Sequence, residues 1–266
     1  MSDATPDDRL QRLRSRREPP PLVPVTVICR TEVTPRLLRL AFEGPRLDDM
    51  WAEPAASVRL LVPSRGSSEL ILPIWNGNEF LLPGDVRPAL RTFTPLEADA
   101  PGRLDLEIVR HPGGAVSQWA EQAEVGSPAA MSGPGRGAEF APDTTTFHLL
   151  GDETAVPAIS QLLGVLSPTA MISVHAEIEH DAAIRPLPSH PGAIVEWLVR
   201  DSGDGPGARL VAAARALPEF SATTHIWAAG EAASMQAIRR HLFDERGLSR
   251  PQTTIRGYWK PERTSR

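Results

Sequence analysis

The chain changes rhythm once, near residue 142, and that change limits its fold more than any other feature. Before it, apolar segments are short: residues 22–30, 36–44, 57–63, 69–74, 89–94 and 103–111, punctuated by Gly, Pro and Asp. In 37–42 and 104–108 apolar and polar residues alternate, which suits antiparallel strands with one wetted face. These strands and one short helical stretch at 115–123 predict a closed antiparallel β-barrel. The 27 prolines fit short elements joined by stiff connections.

After 142 longer segments take over. The pattern predicts strand 145–151, helix 154–166, strands 171–179 and 193–199, helix 208–217, strand 223–229, helix 232–246 and strand 253–258. Strands alternating with helices predict a doubly wound parallel α/β domain with helices on both faces. The expected division is an N-terminal arm over 1–21, a barrel over 22–137 and an α/β domain over 138–266, with the glycine-rich 133–142 as hinge. The arm carries Arg9, Arg12, Arg14, Arg16 and Arg17, but a proline run rather than an apolar stretch follows, so it is not read as an export signal.

Composition excludes several classes. No apolar run reaches the length of a membrane span. A net charge of −5 argues against a general nucleic-acid binder. Cys29 is the only cysteine, which rules out an internal disulfide and a cysteine metal cage, and fits a reducing cytoplasm. It is read as a buried apolar filler, and Trp119, Trp197 and Trp227 as core. Basic residues are 27 arginines and one lysine, Lys260.

Three places carry chemistry. Arg91-Thr92-Phe93-Thr94 ends a barrel strand with a cation, a ring and a hydroxyl, groups able to clamp a pyrophosphate, cover an aromatic cofactor and reach a ring nitrogen. His111 closes the next strand, and Gly113-Gly114-Ala115-Val116-Ser117 then opens a helix, where free N–H groups favour phosphate. In the second half, small or polar residues stand at strand ends: Gly151–Thr154, Glu179–Asp181, Gly230-Glu231 and Gly257–Lys260.

The order of these motifs resembles the ferredoxin-reductase superfamily. Val58–Pro63, Ile108–His111, Ser132-Gly133-Pro134, Gly151–Ile159, Ala229–Ala232 and Arg256–Lys260 resemble one branch of it, the siderophore-interacting proteins, over most of the chain. The resemblance implies a FAD-dependent reductase that reduces a ferric-siderophore and releases Fe(II) in the cytoplasm. NADH, NADPH or a ferredoxin would supply the electrons. Arg91 would hold the FAD pyrophosphate, with Thr92 beside it, Phe93 flanking the flavin and Thr94 near its reactive edge. His111 would touch the cofactor while Gly114, Ala115, Val116 and Ser117 cradle phosphate. Asp152, Glu153, Thr154 and Ala155, with Gly230 and Glu231, would line the pocket for a nicotinamide cofactor or the adenine end of FAD. Arg59, Arg136 and Lys260 would attract the anionic chelate. A monomer without intrinsic metal is expected.

The chain departs from the family pattern at several points. Phe93 replaces a usual tyrosine, Leu96 a frequent arginine, Pro54-Ala55-Ala56-Ser57 a Pro-Gly-x-His approach, and Pro261 a glycine. Two other readings stand beside the reductase: a flavin reductase serving another electron-transfer chain, and a non-catalytic siderophore-binding protein.

Overall fold

The computed structural model describes residues 19–50 and 53–261; the arginine-rich stretch of the N-terminal arm lies outside them. The first half is a seven-stranded antiparallel sheet ordered β6-β3-β9-β1-β2-β8-β7. Its strands are β1 (Val23–Thr34), β2 (Leu37–Glu43), β3 (Val58–Val62), β6 (Ala89–Phe93), β7 (Pro95–Glu97), β8 (Arg103–Val109) and β9 (Pro128–Ser132). A small ribbon, β4 (Ile74–Trp75) with β5 (Phe80–Leu81), stands apart from it. The two outer strands of the large sheet are consecutive in the chain. β6 pairs with β3 and β7 pairs with β8, with Thr94 alone between them, so the sheet closes on itself at that residue.

Inward residues alternate as a strand period requires: Leu38, Leu40 and Phe42 from β2 meet Leu104, Leu106 and Ile108 from β8, all 2% exposed or less. Helix α1 (Ala115–Gln122) adds Val116 and Ala120 to that core, and Trp119 stacks on Phe42.

The second half is a parallel sheet ordered β12-β11-β10-β13-β14, from β10 (Thr146–Asp152), β11 (Met171–Ile178), β12 (Ala193–Val199), β13 (Thr224–Glu231) and β14 (Thr253–Trp259). Neighbours Leu149 and Leu150 point into separate cores because strand side chains alternate. Leu149, Val174 and Trp227 pack on α2 (Val156–Val165). Leu150, Ile226 and Ala228 pack on α3 (Ala208–Ala216) and α4 (Ala232–Arg240). Helices thus cover both faces, and the strand order reverses direction beside β10 and β13. After Arg240 the α-helix widens into a π turn over His241–Glu245, so helix 232–246 is regular only through its first part.

Polar contacts join the halves. The Arg256 guanidinium donates to the carbonyls of Ala55 (3.2 Å), Arg136 (3.0 Å) and Gly137 (2.6 Å). Gln161 accepts from the Ala55 N–H and donates to the Pro95 carbonyl. Arg185 grips the buried Glu107 carboxylate through two bonds of 2.6 and 2.5 Å, and Arg39 adds a third at 2.7 Å. Burial alone would raise the Glu107 pKa; the two guanidinium groups more than offset it and hold it below the usual range.

Three expectations are corrected. Residues 69–73 form no strand, and Ile71 and Leu72 are exposed, because no neighbouring strand pairs with them. Cys29 is exposed, not buried: a bulge between Val27 and Cys29 shifts the phase of β1 and turns the thiol outward. Trp197 is half-buried on the edge strand β12 and so is not a core residue, whereas Trp227 is fully buried.

Candidate functional site

The barrel brings the first group of motif residues to one end. Arg91 and Phe93 lie opposite Leu60 and Val58 and share their inward strand face, while Thr92 lies opposite Arg59. Phe93 packs against the barrel core; Arg91 and Thr92 are exposed. Among the described residues, the Arg91 guanidinium meets only the neighbouring Leu90 carbonyl, 2.9 Å away, and no carboxylate. β6 touches α1, whose start is unusual.

Gly114 caps α1 with no side-chain hydrogen bond. Among the described residues, nothing accepts from the N–H groups of Ala115, Val116 and Ser117; the first helical bond runs from Gln118 to the Gly114 carbonyl at 2.9 Å. The His111 ring lies over Gly114, where a Cβ would come within 2.1 Å of it. Ser117 Oγ accepts from the His111 N–H at 3.0 Å, so this hydroxyl fixes the turn and keeps its own proton to donate. An uncapped helix start beside an unpaired arginine is a donor set suited to a phosphate group.

Thr94, nearly buried at the barrel closure, meets β14. Tyr258 faces the Thr94 hydroxyl and the Arg256 guanidinium, and burial pushes its phenol pKa up, so the phenol is neutral at physiological pH. Tyr258 and Arg256 lie in the Arg-Gly-Tyr-Trp run that the sequence marks at a strand end, whereas no sequence signal points to Gln161.

The second group also converges, at the carboxyl ends of β10 and β13, but its polar groups are engaged. Asp152 Oδ1 accepts from the Thr154 N–H (2.9 Å) and hydroxyl (2.5 Å). Its Oδ2 accepts from the Glu231 N–H (2.9 Å) and the Trp259 indole (2.7 Å). Burial raises the Asp152 pKa, and these four bonds pull against it. Gly230 is required here: at φ 154°, a Cβ would sit 2.6 Å from Asp152 Oδ2. Glu153 accepts from the Glu179 N–H and pairs with Arg36 of the barrel, which also binds Glu179. The Ala155 N–H bonds the Asp152 carbonyl at 2.8 Å. Glu231 accepts from the Ser234 N–H at 2.8 Å.

The three candidate substrate cations are exposed and, among the described residues, paired with no carboxylate: Arg59 on β3, Arg136 in the connection between halves, and Lys260 just after β14. Arg256 draws the 136–137 backbone to β14 and so brings two of these segments together.

A closed antiparallel barrel followed by this parallel sheet is the architecture of ferredoxin-reductase-like flavoproteins; solved reductases of that kind share it at 13–18% identity and a TM-score of 0.63. The chain belongs to the siderophore-interacting protein family. Residues 26–138 match the siderophore-interacting FAD-binding domain, and residues 144–262 match the siderophore-interacting protein domain. It is 30% identical to the ferric vibriobactin reductase ViuB of Vibrio cholerae over 237 residues, 86% of this chain and 85% of ViuB. It is also 30% identical to the mycobactin import ATP-binding/permease protein IrtA of Mycolicibacterium smegmatis, covering 88% of this chain but only 25% of IrtA. A crystal structure of a siderophore utilization protein from T. fusca superposes with a TM-score of 0.79 at 29% identity, over 92% of this chain and 94% of that one. The barrel is therefore a FAD-binding domain. Among the described residues, no helix is long and apolar enough to cross a membrane.

Proposed function

We propose that the chain is a FAD-dependent reductase of ferric-siderophores, acting in the cytoplasm as a monomer of two domains that meet near residues 134–142. The observation that carries this reading is the uncapped start of α1 beside Arg91, in a barrel matched to a siderophore-interacting FAD-binding domain.

When bound, FAD would supply the redox chemistry that links NADH, NADPH or a ferredoxin to one-electron reduction of Fe(III). The protein's part is placement. Arg91 and the N–H groups of Ala115, Val116 and Ser117 hold the pyrophosphate, with the Ser117 proton and His111 beside them. Phe93 flanks the ring system, and Thr94, held against Tyr258, borders its reactive edge. Tyr258 stays neutral and adds no charge there. Arg59, Arg136 and Lys260 give a net acidic protein a local positive rim, which steers an anionic chelate toward the flavin. Fe(II) binds hard oxygen ligands more weakly than Fe(III), so reduction frees the metal.

The test is spectroscopic. Purified protein reconstituted with excess FAD and desalted retains flavin absorbance at one equivalent. Reduced with dithionite under anaerobic conditions, it reoxidises on adding a ferric catecholate or hydroxamate, and an Fe(II) chelator captures the product. Absence of flavin bands overturns the reading. Retained flavin with no Fe(II) produced reduces the chain to a binding protein.

A further inference from the structure

Three helices start at the carboxyl edge of the parallel sheet, where a doubly wound fold receives dinucleotide phosphates on free N–H groups and the positive helix end. In this chain a carboxylate of the protein itself stands at each start, each in its own way.

Glu177, at the end of β11 and 3% exposed, closes α3. Its carboxylate accepts from the N–H groups of Gly207 (2.6 Å), Arg209 (2.9 Å) and Leu210 (3.3 Å). The Ala208 N–H bonds the Gly205 carbonyl, so the first turn is fully used. Glu231, 5% exposed, closes α4: its carboxylate sits at the positive end of that helix, on the Ser234 N–H and hydroxyl. Ahead of α2, the Thr154 and Ala155 N–H groups are both held by Asp152, and in its first turn Pro157 has none to offer, which leaves the Ala158 N–H without an acceptor among the described residues. The Asp152 carboxylate lies between α2 and α4 with all four of its bonds made.

Beside these three starts the arginines are also engaged, while Lys260 lies further along, after the edge strand β14. Arg209 binds Asp201 and Asp204; Arg36 and Arg200 bind Glu179. An incoming pyrophosphate would have to displace a carboxylate from buried donors and then lie beside like charge where water screens little.

We infer that the parallel-sheet half has no seat for the pyrophosphate or the 2′-phosphate of a nicotinamide dinucleotide, and that a nicotinamide donor engages this protein through its reduced ring alone. The inference rests on the flavin-reductase reading, because the ring must meet a bound flavin. Overall, one NADH or NADPH reduces two Fe(III) chelates and yields NAD(P)+ and one proton. Without a phosphate seat, the donor side has no means of telling NADH from NADPH. The carboxylates that block it brace the sheet instead.

The experiment uses FAD-loaded protein. Calorimetric titration with 2′,5′-ADP, ADP-ribose and NADP+ shows no saturable binding up to about 1 mM. In anaerobic stopped-flow, flavin bleaching rises linearly with donor concentration. NADH, NADPH and reduced nicotinamide mononucleotide give slopes within about threefold of one another, since nothing grips the parts in which they differ. Saturable micromolar binding of 2′,5′-ADP, or a preference above about tenfold for either dinucleotide, overturns the inference. Dithionite-driven iron reduction is measured in parallel. Its failure removes the reductase reading, whereas the calorimetric result judges the dinucleotide seat without reference to it.

Discussion

Four α-helices of the described chain begin where a phosphate would be sought, and they differ in one respect. α1, on the barrel, begins with Gly114, free N–H groups and an unpaired arginine nearby; α2, α3 and α4 begin against the chain's own carboxylates and a proline. The same dipole is left open in one half of the molecule and neutralised in the other. A helix start announces an anion site only after its first-turn donors have been accounted for.

The strongest way to break this contrast is to open α3. Glu177→Ala leaves three N–H groups without an acceptor and should cost about 3 kcal/mol of stability, read as a lowered melting temperature, with FAD affinity unchanged once folded. A drop in FAD affinity to match would tie the two halves together in a way the contrast denies.

Acid should also separate the halves. His225, in the parallel half against Phe140 and Phe147, has its pKa lowered by burial to about 4. A ring held neutral in the folded state contributes stability that is complete above the unfolded pKa of about 6.5 and lost as pH falls toward 4. The ring is 2% exposed, and the loss over that window is on the order of 3 kcal/mol. Denaturant midpoints at pH 7 and pH 4.5 should differ less in a His225→Asn variant than in the parent; an unchanged difference would assign the acid sensitivity elsewhere.

At the open helix, Arg91→Ala should weaken FAD binding roughly 10- to 100-fold, because a charge-assisted contact is lost without replacement. The melting temperature without FAD should hold, since Arg91 is exposed and bonded only to Leu90. Equal damage to both would make Arg91 structural. Gly114→Ala tests the same site more gently: the His111 ring must move off the helix start, and fluorescence titration should show FAD affinity changed by a few-fold.

The smallest effect is expected at Ala55, a non-glycine residue that holds φ 53°. Ala55→Gly relieves a left-handed conformation worth about 1 kcal/mol but gives up a buried methyl worth about 0.8 kcal/mol, so stability should change by less than about 0.5 kcal/mol. A larger gain would show that the contacts of Arg256 and Gln161 hold this turn under more strain than the angle suggests.

Much of the architecture was legible because periodicity survives folding. The alternation in 104–108 becomes the buried face of β8, and the strand–helix alternation after 142 becomes the parallel sheet. What was not legible depended on partners. Residues 69–73 have strand composition but no strand beside them, and one bulge turned Cys29 outward without altering the pattern around it. At the site, a glycine-led helix and an arginine strand could be read as neighbours in function. Sequence showed acidic residues at strand ends but not which N–H groups lie opposite them, so Asp152 and Glu231 read as pocket lining while their contacts with Thr154, Trp259 and Ser234 stayed hidden.

The single residue between β6 and β7 gives the barrel a seam. Every other neighbouring pair in that sheet is joined along a ladder, but here both margins are held in place by an unbroken backbone through Thr94. Cleaving the chain between Thr94 and Pro95 would break no ladder pair, but it would free the two margins, already unpaired with each other, to part and meet a neighbouring molecule. The margins would part at the point where Phe93, Thr94 and Tyr258 gather. In this protein one peptide bond joins the two margins of the wall directly.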